Sequence, residues 1–197
     1  MIRLIYIKII IMYVLAAVLT LVALMVFWWI FTYNSFISKR NKVKQCESSI
    51  CVILKQRNDM IPNLVAAVKA YAKHEHKTLT EVIALRSKVM ETVNPQEEIA
   101  LGAKISAAIP SISALRESYP ELKADTHFSQ LQNSLEEMEL QLQAVRRTYN
   151  AAVVDFNNAV EMFPSSIIAG VSKFVCFDMI DIPDTEKRNV DVSSLFN

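Results

Sequence analysis

An uncharged stretch of 25 residues, at positions 9–33, limits what this 197-residue chain can fold into. A helix rises about 1.5 Å per residue, so a helix of this length crosses a hydrocarbon layer about 30 Å thick. Trp28, Trp29 and Tyr33 close the stretch, and amphipathic rings of this kind settle at the headgroup depth of a membrane. The sequence therefore predicts a transmembrane helix within residues 1–33.

A cleaved signal peptide is the alternative interpretation of the same stretch. The apolar core of a signal peptide has about 7–15 residues, and small residues precede its cleavage site. Here the apolar stretch is longer, and the bulky Phe27, Trp28 and Trp29 stand where small residues are needed. We therefore expect an uncleaved anchor, and the lipid bilayer is the first predicted partner of the chain.

The basic residues that flank the stretch predict its orientation, because Lys and Arg are enriched on the cytoplasmic side of a span. Two precede the stretch and four follow it: Arg3 and Lys8, then Lys39, Arg40, Lys42 and Lys44. We expect the N-terminus on the outer side of the membrane and the C-terminal region in the cytoplasm. The second group is interpreted as a topology determinant, with contact to anionic lipid headgroups as the alternative.

The composition of the remaining chain excludes several classes of function. Two of the 21 Lys and Arg residues lie in residues 1–33, which leaves 19 against 20 Asp and Glu, and this balance offers no basic surface for nucleic acid. Cys46, Cys51 and Cys176 lack the CxxC spacing of zinc and redox motifs. Only two glycines occur, so a glycine-rich phosphate-binding loop cannot be built. We predict no cofactor.

Apolar residues recur at spacings of three and four over residues 126–163, which predicts one long helix with an apolar stripe. The stripe contains Phe128, Leu131, Leu135, Met138, Leu142, Val145, Tyr149, Ala152, Phe156, Ala159 and Phe163. The other faces carry Glu136, Glu137, Glu139, Gln141, Gln143 and Arg146, and Asp125 stands at the N-cap position. Because one helix cannot bury such a stripe alone, partner helices are required.

Three further helical segments are predicted upstream. The first continues from the membrane to about Arg57, where Pro62 and the residues before it break or kink the chain. The second begins at Pro62 and ends near Met90. The third covers residues 96–119 and is bent or interrupted at Pro110. Four helical segments with short connections are typical of an antiparallel up-and-down bundle.

The predicted fold class is therefore all-α. A transmembrane helix within residues 1–33 precedes an antiparallel four-helix bundle in residues 34–164, and residues 165–197 form a C-terminal segment. Within that segment we expect a short helical turn over residues 165–170 and a loosely packed tail after it.

His74, Glu75 and His76 are the residues most suggestive of a metal site. Helical ligands must share a face, and His74 and His76 point about 200° apart around a helix. His127 has no ligand at a suitable spacing, so we predict no metal site. The sequence also has no GxSxG motif, and its cysteines lack a histidine and an orienting carboxylate at motif spacing. We expect no catalytic residue and no enzymatic activity.

Glu75 and Arg86 lie on the apolar stripe of the predicted second helix, about three turns apart. An unpaired buried charge is costly, so we expect the two to be paired in the interior. Asn63, Asn150 and Asn157 are candidates for the same interior. Such a polar layer either binds a ligand or switches the packing, or it fixes helix register as a satisfied network, which is the interpretation we prefer.

Several segments resemble the LemA family of bacterial membrane-anchored helical proteins. They are residues 33–34, 54–65, 71–75, 86, 119–123, 128, 131–132, 149–150, 156–157, 163–165 and 168–170. The resemblance implies a short N-terminus, one span and an antiparallel helical bundle, and it implies no agreed biochemical activity.

The function predicted from these observations is a non-enzymatic scaffold or adaptor that presents a cytoplasmic bundle to an unidentified membrane or cytoplasmic protein. A heptad-like stripe also accepts a second copy of the chain, so a homo-oligomer is a further predicted partner. Some relatives look linked to membrane proteases of the HtpX type or to the building of intracellular membranes. The resemblance therefore implies two alternatives, a regulatory partner of such a protease and a membrane-shaping or envelope-maintenance protein.

Overall fold

The computed structural model describes residues 2–72 and 76–180, with side chains at residue 6 and within residues 8–72 and 79–180. Six helices and no strand occur in this part of the chain. They are α1 (Ile2–Tyr71), α2 (His76–Glu91), α3 (Pro95–Ser118), α4 (Pro120–Ala124), α5 (Thr126–Glu161) and α6 (Ser165–Val171). The predicted all-helical class is confirmed, as are the long α5 and the short α6.

The α1 helix passes through Pro62 without ending, so the helix boundary predicted at this proline is wrong. A proline inside a helix removes one hydrogen bond and costs about 3 kcal/mol. Ile61, Leu64 and Val65 are all buried beside it, and each buried apolar side chain contributes about 1.5–3 kcal/mol. Packing therefore outweighs the local cost, and α1 continues to Tyr71.

The described chain consists of two compact units. Unit 1 contains the described parts of Met1–Val43 and Ala152–Asp178, and unit 2 contains those of Lys44–Ala151 and Met179–Asn197. Both α1 and α5 contribute residues to both units.

In unit 1, the first half of α1 is apolar and exposed, and four phenylalanines pack further along the chain. Of the described helices, α1 and α3 are long and apolar enough to cross a membrane, judged by length and composition alone. None of the most apolar 18-residue stretch of α1 is buried, whereas 33% of the corresponding stretch of α3 is buried. Phe36 stacks on Phe174 with ring centroids 4.9 Å apart, and Phe156 meets the edge of Phe177 at 5.1 Å. These contacts tie α1, α5 and the residues after α6 together within unit 1.

Unit 2 has one hydrophobic core, to which its five helices all contribute. It contains Ile61, Leu64, Val65 and Val68 of α1, Leu79, Val82 and Val89 of α2, Leu101, Ile105, Ile112 and Leu115 of α3, Leu122 of α4, and Phe128 and Leu135 of α5. The α3 helix passes through Pro110 with Ile112 buried two residues later, so it is not interrupted there.

The apolar stripe of α5 is largely buried, with two departures from the prediction. Phe163 lies beyond the end of α5 and is 81% exposed. Arg146, predicted to lie on an outer face, is only 2% exposed. The stripe is wide enough to take in both Val145 and Arg146, because residues one position apart lie only about 100° apart on a helix.

Asp125 begins α5 as predicted, because its carboxylate accepts hydrogen bonds from free backbone N–H groups of the first turn. Its Oδ1 accepts from the N–H of His127 at 2.8 Å and of Phe128 at 3.0 Å, and its Oδ2 accepts from the hydroxyl of Tyr71 at 2.9 Å. These bonds, led by that from Phe128, hold the pKa of Asp125 below its ordinary value of 3.8. The carboxylate in turn raises the pKa of Tyr71.

We expect the Asp125 cap to make the protein acid-sensitive. A carboxyl whose pKa is depressed by folding contributes stability above its unfolded pKa and loses it as the pH falls through the folded value. Asp125→Asn keeps a good N-cap but cannot be protonated, so its melting temperature should fall less than that of the parent as the pH drops below 3.8. Circular dichroism melts of the full chain in detergent measure this, and equal acid losses in the two proteins would contradict it.

Candidate functional site

Arg57 lies on the apolar face of α1. It follows Ile50 and Leu54 and precedes Ile61 at spacings of three and four, and all four side chains are at most 1% exposed. The helix thus carries a guanidinium into the interior of unit 2. Burying a cation is costly, and acceptors for its N–H donors lower that cost.

The acceptors come from α3 and α5. Nη1 of Arg57 donates to Oγ of Ser106 at 2.5 Å and to Oε2 of Glu139 at 3.1 Å, and Nη2 donates to the carbonyl oxygen of Gly102 at 2.6 Å. The Ser106 hydroxyl donates to the same Oε2 at 2.9 Å. One side chain of α1 therefore contacts both other long helices of the unit.

Gly102 allows α3 to approach α1 closely at this point. A Cβ atom at position 102 would lie 2.6 Å from Cδ2 of Leu54, which is fully buried. Because Gly102 has no side chain, Leu54 fits against α3 at the point where the carbonyl oxygen of Gly102 accepts the hydrogen bond from Arg57.

Arg146 is the second buried guanidinium of the cluster. It follows Glu139 by seven residues, two helical turns, and its Nη1 lies 3.7 Å from Oε1 of Glu139. Among the groups that the structure describes, none accepts a hydrogen bond from its guanidinium. Glu139 is thus the carboxylate shared by two cations. We call Arg57, Ser106, Glu139 and Arg146 the arginine–glutamate cluster.

The electrostatics of the cluster follow from burial. Burial lowers the pKa of Arg57 to about 10, Glu139 opposes this shift, and the charge of Arg146 adds to it. A pKa of about 10 leaves Arg57 protonated at neutral pH. The two guanidiniums and one carboxylate therefore give the cluster one excess positive charge.

A cavity of about 330 Å³ adjoins the cluster in unit 2. Ser106 and Glu139 form part of its wall, and the rest is mainly apolar, with Leu64, Ile109, Pro110 and Leu135. Over the residues with described side chains, no group of three or more His, Cys, Asp or Glu side chains is placed to hold a metal ion.

Comparison with known proteins identifies the family. The sequence profile described as the LemA family matches residues 46–193, three quarters of the chain. The chain belongs to the LemA family. It is also similar to the protein named Protein LemA from Metamycoplasma hominis, with 23% identity over 165 residues that cover 83% of this chain and 75% of that protein. The predicted resemblance is confirmed, and the region of this LemA-family chain that matches the profile contains the whole arginine–glutamate cluster.

The residues that the sequence predicted for the interior lie in different places. Glu75 falls outside the described residues, so its pairing with Arg86 stays a prediction. Arg86 is half-buried, and its Nε donates to the carbonyl oxygen of Asn58 at 3.0 Å. Asn63 is exposed on α1.

Asn150 and Asn157 bind the backbone of the segment that follows α6. Nδ2 of Asn157 donates to the carbonyl oxygen of Phe177 at 2.8 Å, and Oδ1 accepts from the N–H of Phe177 at 2.9 Å. Asn150 makes the same pair of bonds with Ile180, both at 2.9 Å. Residues 174–180 have no regular secondary structure, as expected of the predicted tail, but their backbone is held to α5 at Phe177 and Ile180.

Sequence reasoning missed Arg57 and assigned Glu139 and Arg146 to solvent. A signal was present for Arg57, since it continues the spacing of Ile50 and Leu54. It was also present for Arg146, which stands four residues after Leu142 and three before Tyr149. Nothing in the sequence distinguishes Glu139 from the other acidic residues of α5, because its role depends on what α1 and α3 place opposite it.

We expect Glu139→Gln to lower the free energy of unfolding by about 2 kcal/mol. Removing one partner of a buried ion pair costs about 3–5 kcal/mol, and the loss is smaller here because Glu139 is partly exposed. Denaturant unfolding of the full chain in detergent measures the change. Glu136→Gln, at an exposed position of α5, is the matched control and should change the free energy of unfolding by less than about 0.5 kcal/mol.

A double variant tests the excess positive charge of the cluster. Adding Arg146→Met to Glu139→Gln should restore part of the lost stability, because it removes a guanidinium left without a carboxylate. The same denaturant unfolding measures this recovery. Strictly additive losses in the double variant would contradict the shared role of Glu139.

We expect Asn157→Ala to release the backbone at Phe177. The substitution removes both hydrogen bonds of the amide, at a cost of about 1–2 kcal/mol. Hydrogen–deuterium exchange of peptides covering residues 174–180 should become faster. Asn158→Ala, one position along α5 and exposed, is the matched control and should leave the exchange unchanged. Equal exchange in the two variants would refute the role of Asn157.

Proposed function

We propose that this LemA-family protein is a single-pass, membrane-anchored helical scaffold that presents unit 2 to a protein partner and catalyses no reaction itself. The observation that carries the proposal is the exposed apolar first half of α1. A long row of exposed Ile, Leu, Val and Phe side chains is unfavourable in water and favourable in a bilayer. The four basic residues that follow the span support a cytoplasmic location for unit 2.

The proposal includes an antiparallel arrangement of the helices in unit 2. Two contacts support it for α1 and α5. Tyr71, at the end of α1, binds Asp125, at the start of α5, whereas the earlier Arg57 binds the later Glu139. Contacts that run in opposite order along two helices are what an antiparallel pair requires.

Two observations support a role without catalysis. The Ser106 hydroxyl is held between Arg57 and Glu139, where it is a structural donor and acceptor. Burial, followed by the charge of Glu98, raises the pKa of Cys51 to about 11, so its thiol stays protonated at neutral pH and is a poor nucleophile.

The anchor is tested by Leu19→Arg combined with Val22→Arg in the full chain. Each Arg at the centre of a span costs about 2.5–3.5 kcal/mol, so the variant should be extracted from membranes by alkaline carbonate while the parent is retained. Leu19→Ile with Val22→Leu keeps the span apolar and is the matched control. Extraction of the parent would overturn the anchor.

The scaffold is tested in the same membranes with a photo-crosslinking amino acid at Leu140, which is 65% exposed on α5. We expect a discrete adduct with another protein. The adduct should be lost in the variant that carries Leu19→Arg and Val22→Arg. The same amino acid at the buried Gln132 is the control and should give none. A membrane protease in the adduct would favour the regulatory alternative, and an adduct with a second copy would favour a homo-oligomer. Ester or peptide hydrolysis that is lost on replacing one serine or cysteine would refute the scaffold.

A further inference from the structure

The turn after α5 and the outer face of α6 expose apolar side chains in unit 1. Met162, Phe163, Ile167 and Val171 are between 52% and 81% exposed, and we call them the α6 patch. Residues 162–172 contain no charged side chain. Such a cluster differs from an ordinary surface helix, whose outer face is polar.

The inner face of α6 is already occupied. Ile168 and Ala169 are at most 1% exposed, whereas Ile167 and Val171 lie one helical turn apart on the opposite, exposed face. The helix is therefore apolar on both faces, and the outer face requires a partner of its own.

The position of the patch within unit 1 indicates which partner it has. Ile167 lines an apolar groove of about 430 Å³ together with Met25, Val26, Trp28 and Trp29 of α1. These residues belong to the last part of the proposed span, where the tryptophans mark headgroup depth. The patch is thus continuous with the surface that contacts lipid. Lys173 is exposed two residues after Val171, where an ammonium group suits headgroup phosphates.

We propose that the α6 patch inserts into the boundary between headgroups and acyl chains beside the span, as a second membrane contact of this protein. The inference rests on the proposed anchor, because it is the span that identifies lipid as the neighbour of Ile167. An apolar helix lying in the interface plane is an established mode of membrane contact.

The test uses the full chain in vesicles of phosphatidylcholine and phosphatidylglycerol whose acyl chains carry bromine, which quenches tryptophan fluorescence on contact. Trp28→Phe with Trp29→Phe removes both native tryptophans. Phe163→Trp or Val171→Trp is then added to give a single reporter in the patch. Leu140→Trp in the same background is the matched control, at an exposed apolar position in unit 2.

We expect brominated lipid to reduce the fluorescence of the reporters at positions 163 and 171 nearly as much as that of the parent protein, and to leave the reporter at position 140 unchanged. Quenching of the parent with no quenching at 163 or 171 would overturn the second contact and leave the anchor intact. No quenching of the parent would overturn the anchor and, with it, this inference. Circular dichroism melts of each variant verify that the helices are retained.

Discussion

The packing of unit 2 depends on pairing one buried guanidinium with acceptors from two other helices. Arg57 stands among fully buried aliphatic side chains of α1, and acceptors lower the high cost of burying a cation there. The acceptors are a carbonyl of α3, a hydroxyl of α3 and a carboxylate of α5. Sliding any of these helices by one residue would separate donor from acceptor. The apolar core supplies most of the stabilising free energy, and the hydrogen bonds of Arg57 favour one register of α1, α3 and α5.

The second arginine gives this arrangement an unusual charge balance. Arg146 shares the only carboxylate of the cluster, at a distance of 3.7 Å that is too long for a hydrogen bond. Buried ion pairs contribute little net stability even when well matched, because desolvation offsets attraction. The cluster is therefore better understood as a determinant of helix position than as a source of stability, and Gly102 fits the same purpose by allowing α3 to approach Leu54.

Unit 1 follows a different physical rule. Its most apolar residues are exposed in the first half of α1 and again in the α6 patch, and the two sets meet at Ile167 and the tryptophans. In water such a surface is a liability, and in lipid it is the favourable state. The proposed anchor and the proposed second contact both follow from that difference in solvent. Asn157 meanwhile uses one amide to hold the backbone of Phe177 within the same unit.

The sequence by itself determined the helical class, the apolar first half of α1, the length of α5 with its Asp125 cap, and the family. The family rests on matched segments along most of the chain. The other features are local, since they depend on hydrophobic periodicity, hydropathy and short-range capping bonds. Only the tertiary structure decided that α1 continues through Pro62, that Arg57, Glu139 and Arg146 meet, and that Asn150 and Asn157 bind the chain after α6. Each of these depends on groups brought together from distant parts of the sequence, and a helical pattern specifies which face is buried but not what lies opposite it.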